Sequence, residues 1–256
     1  MEKVPAHQRA DSLSVSALLT IAGGFLDAYT YLERGEVLAN AQTGNMIFLM
    51  INLTQGHWKT ALSYFIPILF FAAGIWIAEA IRFWKRAPSV LHWQQIILAI
   101  ECLIILLVSF IPRGPLDMVV NIAVSLVCSM QVQSFRQVRG NPFASTMCTG
   151  NLRSGSESLF LYTRTSDKQY LRAALHYFAI IGLFILGAAA GAFSVHFLAE
   201  KATLVCCALL LPCLWLLRQR QRDATPTTRN PRQRDAASTT RNPRQSDAAP
   251  TTRNPR

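Results

Sequence analysis

Charge is missing from long stretches of this chain: between Arg172 and Glu200 there is no Asp, Glu, Lys or Arg. Catalytic signatures are missing as well. The 256 residues contain no H-E-x-x-H, no P-loop and no dinucleotide fingerprint. The cysteines, Cys102, Cys128, Cys148, Cys206, Cys207 and Cys213, make no CxxC and no Cys/His metal spacing. They read as small apolar packing residues, so no metal and no cofactor are expected. Ser154-Gly155-Ser156 beside Glu157 invites a hydrolase reading, but a nucleophile needs a base within hydrogen-bond reach. The nearest histidine, His176, stands at the end of an apolar block, and the expectation is a protein that is not an enzyme.

What remains is apolar sequence in long runs. Of the residues, 51% are hydrophobic and the mean hydropathy is +0.25. The apolar blocks run at 13–32, 60–83, 93–111, 117–135, 172–198 and 203–217. A hydrocarbon core about 30 Å thick takes roughly 20 apolar residues per helix. Six such blocks predict an all-α polytopic membrane protein with the lipid bilayer as its main partner. The first block follows Lys3 and Arg9 like a secretory signal, but it carries Asp27 and lacks an Ala-x-Ala cleavage site. It reads as a retained first span after a cytoplasmic segment, 1–12.

The net charge of +11 is concentrated at one end. Residues 218–256 hold ten Arg and three Asp, and from Arg222 they repeat with a period of twelve, with copies starting at Arg222, Arg234 and Ser246. Nothing there is larger and apolar than Ala, so the tail cannot offset the entropy of ordering and should be disordered. Clustered Arg beside a membrane is drawn to anionic lipid headgroups. Interspersed Asp and Pro dilute that charge and favour a solvated repeat without a dedicated partner, and no specific nucleic-acid partner is expected.

A motif recurs between the apolar blocks. Arg34-Gly35, Ala39 and Thr43-Gly44-Asn45 correspond to Arg139-Gly140, Ala144 and Thr149-Gly150-Asn151. Each copy follows one apolar block and precedes two more, so the transmembrane domain, 13–217, divides into repeat one, 13–111, and repeat two, 117–217. The second TGN segment carries Arg153 and Glu157, each costing roughly 2.5–3.5 kcal/mol at the centre of a span. A short half-helix that enters and leaves on one side tolerates such polarity. Charge supports this choice. With the amino terminus inside and both TGN segments re-entrant, eleven basic residues outside the tail fall inside and four (Arg34, Lys59, Arg113 and Lys201) fall outside.

Three spans per repeat is odd, so the second repeat should insert upside down, with the TGN segments entering from opposite faces. Inverted repeats with interrupted helices near the midplane recur among transporters. Thr or Asn can cap each half-helix and Gly allows close backbone approach. The positive helix ends favour an anionic or carbonyl-bearing solute.

Asp27 stands within the first block, and an ionisable group at that depth is a functional candidate for binding a proton or cation, or else an interhelical hydrogen bond. Counting back sixteen from each TGN Thr sets Asp27 against Gln133, with Gln131 nearby, as groups that can face one cavity. Glu101, between Ile100 and Cys102, is a second coupling candidate. Gly187 and Gly191 form a GxxxG step for tight packing, either within the chain or in a homo-oligomer.

The run Ala22-Gly23-Gly24-Phe25-Leu26-Asp27-Ala28 followed by Thr43-Gly44-Asn45 resembles the YoaK-like family of bacterial membrane proteins. Met130-Gln131-Val132-Gln133-Ser134 leading to Thr149-Gly150-Asn151 is similar to that family's second half, except that members commonly carry Gln-Asn where this chain has Gln133-Ser134. The resemblance implies six spans in a bacterial inner membrane and carries no settled activity. A transporter or channel for a small solute is the function expected, with the pathway at Asp27, Gln131, Gln133 and the two TGN segments. A membrane scaffold or assembly factor whose TGN segments and Arg tail bind partners is the alternative.

Overall fold

Each of the six apolar blocks forms a helix. The computed structural model describes residues 6–84, 93–135, 137–138, 141–142 and 148–224. Among these are α1 (Ala6–Glu33), α2 (Gln42–Thr54), α3 (Trp58–Trp84), α4 (Trp93–Val108), α5 (Asp117–Ser134), α6 (Cys148–Thr165), α7 (Lys168–Leu198) and α8 (Thr203–Ala224). A 3-10 turn at Ala199–Ala202 joins α7 to α8, and a two-residue antiparallel ladder pairs Gln137–Val138 with Asn141–Pro142. Arg139-Gly140 and Ala144 of the second motif copy lie outside the described residues, as does the repeat tail beyond Ala224.

Among the described residues, three helical stretches are long and apolar enough to cross a membrane: Ser14–Glu33 in α1, α3, and the run Lys168–Gln219 through α7 and α8. Helix α4 is a shorter apolar helix. Their outward faces are apolar too. Trp76, Trp84, Phe110, Leu186, Phe193 and Trp215 are each more than half exposed. Contiguous exposure of such side chains is not sustained in water, and a bilayer is the solvent that covers them. The polar residues turn the other way: Asn121, Ser125, Ser129 and Gln131 of α5 are buried. That is why α5, although its sequence is less apolar than α3 or α7, sits inside the bundle.

The packing repeats with the sequence. Helix α2 lies on α3 as α6 lies on α7, and α1 packs on α7 as α5 packs on α3. The first helix of each half thus leans on the third element of the other half. Glycines set the closeness of both crossings. A Cβ on Gly191 would stand 2.6 Å from the Phe25 carbonyl oxygen, one on Gly187 would collide with the Ile21 carbonyl, and one on Gly24 with the Phe184 carbonyl. On the other crossing, a Cβ on Gly74 would meet the Leu126 carbonyl and the Ser129 hydroxyl. The GxxxG step therefore serves packing within the chain, between α7 and α1.

Gly187→Ala is expected to force α1 and α7 apart. The cost should be about 1–3 kcal/mol of overpacking, read as a lower thermal midpoint of the purified protein in detergent. Gly150, whose added Cβ meets nothing within 4 Å, is the control. Gly150→Ala should hold the midpoint or raise it, because Ala is the better helix former by up to about 1 kcal/mol.

Candidate functional site

The chain turns back at the end of α1. Gly35 and Glu36 have φ of +82° and +63°, and two successive left-handed residues reverse the backbone. Arg34, just before the reversal, is 1% exposed and anchors it. Its Nε donates to Tyr29 Oη at 2.8 Å, Nη1 to Asp117 Oδ1 at 2.8 Å and Nη2 to the Ile111 carbonyl at 2.7 Å. The Arg34 carbonyl accepts from Asn121 Nδ2 at 2.6 Å, and Tyr29 Oη donates to the Glu200 carbonyl at 3.3 Å. One buried cation thus ties the end of α1 to the start of α5 and to the α7–α8 turn.

From there the loop descends along α1. Asn40 N donates to Asp27 Oδ1 at 2.6 Å, and Asn40 Nδ2 donates to the Gly23 carbonyl at 3.2 Å. At 1.5 Å per residue, Asp27 lies about 10 Å below the end of α1. The amides of Ala39, Asn40 and Ala41 face its carboxyl, so one acid caps the concave backbone leading into α2. Helix α2 then begins at that depth with Thr43-Gly44-Asn45 in its first turn.

The TGN residues do not cap in the expected way. The residue preceding α2 is Ala41, with no side-chain cap. Asn45 instead reaches back to the descending loop: its Oδ1 accepts from Leu38 N at 3.0 Å and its Nδ2 donates to the Leu38 carbonyl at 2.6 Å. Gly44 leaves room for Leu38, whose Cδ1 would be 2.8 Å from an added Cβ. Gly and Asn together clamp the loop to the helix, while Thr43 remains exposed. The second copy has the same disposition: Thr149-Gly150-Asn151 is in the first turn of α6, with Thr149 exposed and Asn151 buried.

Both first turns open on one cavity of about 1100 Å³. Asp27, Asn40, Gln42 and Thr43 line it from the first half, and Cys148, Thr149 and Gly150 from the second. Phe71 and Ile75 of α3 and Phe184 and Ile185 of α7 supply apolar wall. The expected convergence of Asp27 with the two TGN segments extends to Thr43, Thr149 and Gly150, which line the cavity with it, but not to Gly44, Asn45 or Asn151, which do not.

It fails for the glutamines. Val132 lines the cavity, and neighbouring side chains on a helix point about 100° apart, so Gln131 and Gln133 are turned away on either side. Gln131 Nε2 donates to the Leu19 carbonyl at 3.3 Å, and Gln133 Nε2 donates to Glu79 Oε1 on α3. Glu79 also pairs with Arg82 at 3.3 Å, as their spacing suggests. Gln133 is therefore not the structural counterpart of Asp27. Glu101 is off the cavity as well: it is wholly buried in α4, and neither carboxyl oxygen has a hydrogen-bond partner among the described residues.

Sequence reasoning missed Asn40 and the Arg34 anchor. Arg34 was visible only as half of a repeated Arg-Gly and as one of the outer basic residues, and its partners are scattered over α1, the α4–α5 connection and α5. Among the described residues no group of three or more His, Cys, Asp or Glu is placed to hold a metal ion.

Fold and site together define a helical membrane protein in which two helix starts and a buried acid line one open cavity. The chain belongs to the DUF1275 family, described as proteins of unknown function, whose model matches residues 15–216. No curated protein and no solved structure matches it.

Proposed function

We propose that this protein moves a small solute across a bacterial cytoplasmic membrane through the cavity between its two halves. The observation that carries the proposal is the convergence of Asp27 and both TGN first turns on one cavity. Six spans are assigned to α1, α3, α4, α5, α7 and α8, with both termini inside. Helices α2 and α6 are the re-entrant pieces of two inverted repeats. In support, α2 has 13 residues and spans only about 20 Å, too little for a hydrocarbon core of about 30 Å. The descent of the loop to Asp27 before α2 begins also fits a segment that enters and leaves on one side. The crossed pairing of α1 with α7 and α5 with α3 is what a twofold relation between halves requires.

The chemistry narrows the solute. Asp27 already neutralises the positive start of α2, and Thr149 and Gly150 in the first turn of α6 line the same cavity. A carbonyl or single carboxylate at α6 and an apolar body against Phe71, Ile75, Phe184 and Ile185 suit the lining. Asp27 serves as the proton-binding group. The test uses proteoliposomes holding a trapped pH dye, challenged with a panel of small carboxylic acids, amides and ketones. At least one should change the internal pH, and Asp27→Asn should abolish that change. A response unaffected in Asp27→Asn would remove the coupling role of the acid.

A further inference from the structure

Helices α2 and α6 hold corresponding places in the two halves, yet they expose different chemistry. With Thr43 set against Thr149, the exposed Ile47 and Ile51 of α2 answer to Arg153 and Glu157 of α6, which are exposed too. An isoleucine face suits lipid. A face with an arginine and a glutamate one turn apart does not, because charges within a membrane turn to protein or to water. Among the described residues neither Arg153 nor Glu157 has an ion-pair or hydrogen-bonded side-chain partner.

The depth of these charges follows from α7. Helix α6 starts with Thr149 and Gly150 on the cavity that Phe184 and Ile185 also line, and it returns along α7. A Cβ on Gly155 would stand 3.2 Å from Tyr177 Cβ and 3.3 Å from Phe178 Cζ. Arg153 and Glu157 flank Gly155 by two residues, about 3 Å along the axis on either side. At that level α7 is within its uncharged run, past Arg172, and it exposes Leu175 and Phe178. The charges of α6 therefore stand at the level where α7 meets lipid.

This exposed face carries its own complement. Arg153, Glu157, Phe160 and Arg164 recur at spacings of four, three and four, the seam pattern of a two-helix pair, and all are exposed. A twofold axis along the membrane normal sets two copies of α6 side by side and running the same way. Arg153 of each copy then comes against Glu157 of the other, about 6 Å further along the axis and within reach of two long side chains. The paired charges sum to zero. We propose that this face of α6 is a dimer interface, in which Arg153 and Glu157 of one copy pair with Glu157 and Arg153 of a second copy. The proposal rests on the re-entrant placement of α6 in the bilayer and not on transport.

The test uses the full chain in liposomes, with donor and acceptor dyes on the amino termini of separate copies. Energy transfer across a series of protein-to-lipid ratios gives the dimer dissociation constant. Arg153→Glu alone, or Glu157→Arg alone, should weaken the dimer about tenfold or more, because like charges then face each other. The double swap, Arg153→Glu with Glu157→Arg, should recover most of the loss, which a role in packing alone does not predict. In a background without the native cysteines, Phe160→Cys should form a covalent dimer on oxidation. Thr54→Cys, the same place on α2, should not. Absence of a dimer at every ratio, or a dimer that ignores the single swaps, would overturn the proposal. If the swapped chains fail to fold, Phe160→Cys, which leaves both charges in place, decides alone. A monomer that still gives the solute-driven pH change would leave the translocation reading standing. A dimer with no solute response would end that reading and keep the interface.

Discussion

Replacing Arg34 by alanine is expected to lower the stability of the folded protein by about 3–5 kcal/mol, the range for removing one partner of a buried ion pair. The size follows from what is stranded. The Asp117 carboxylate, only 21% exposed, loses its cation, and the Ile111 carbonyl and Tyr29 hydroxyl each lose a donor. Arg113 offers the comparison on the same side of the bundle. It is 64% exposed and reaches Glu33 only at 4.0 Å, so Arg113→Ala should change the thermal midpoint little. Pairing Arg34→Met with Asp117→Leu should recover part of the loss, since no charge is then stranded. Thermal unfolding of the three variants beside the parent protein in one detergent gives the answer. Equal midpoints for Arg34→Ala and Arg113→Ala would show that the buried pair does not hold the α1 turn.

Asp27→Asn is expected to separate structure from activity. The amide oxygen can still accept from Asn40 N, so the loop should remain docked and the stability should change by no more than about 1 kcal/mol. Charge and proton binding are lost, and solute-driven pH change should fall to the level of empty liposomes. Asp27→Leu should behave differently. It strands the Asn40 N–H at depth, at about 1–3 kcal/mol, and should loosen the segment entering α2. A functional Asp27→Asn beside an unfolded Asp27→Leu would make the acid a loop anchor only.

The helices were legible in the sequence because the bilayer demands long apolar blocks, and all six blocks became helices, although α1 starts at Ala6 rather than 13 and α8 runs on to Ala224 rather than 217. The start of α2 and α6 at TGN was legible from the repeat, and the α7 contact from Gly187 and Gly191. Side-chain direction was not. Gln133 stands at the counted position of Asp27, but one residue of helical rotation gives the cavity to Val132 and sends Gln133 to Glu79. Asn40 and Arg34 were hidden because their roles depend on the path of an irregular loop, which no periodicity encodes. Asn45 looked like a cap and proved to be a clamp on Leu38 for the same reason.

The most direct measurement is the sidedness of the two re-entrant helices. In a background with the native cysteines replaced, single cysteines would be placed at His57, after α2, and at Lys168, after α6; both positions are exposed. An impermeant thiol reagent applied to intact cells should label His57→Cys directly and Lys168→Cys only after permeabilisation. That outcome would put the two helix starts on one cavity from opposite faces of the membrane. Labelling of both from the same side would contradict the inverted arrangement on which the translocation account stands.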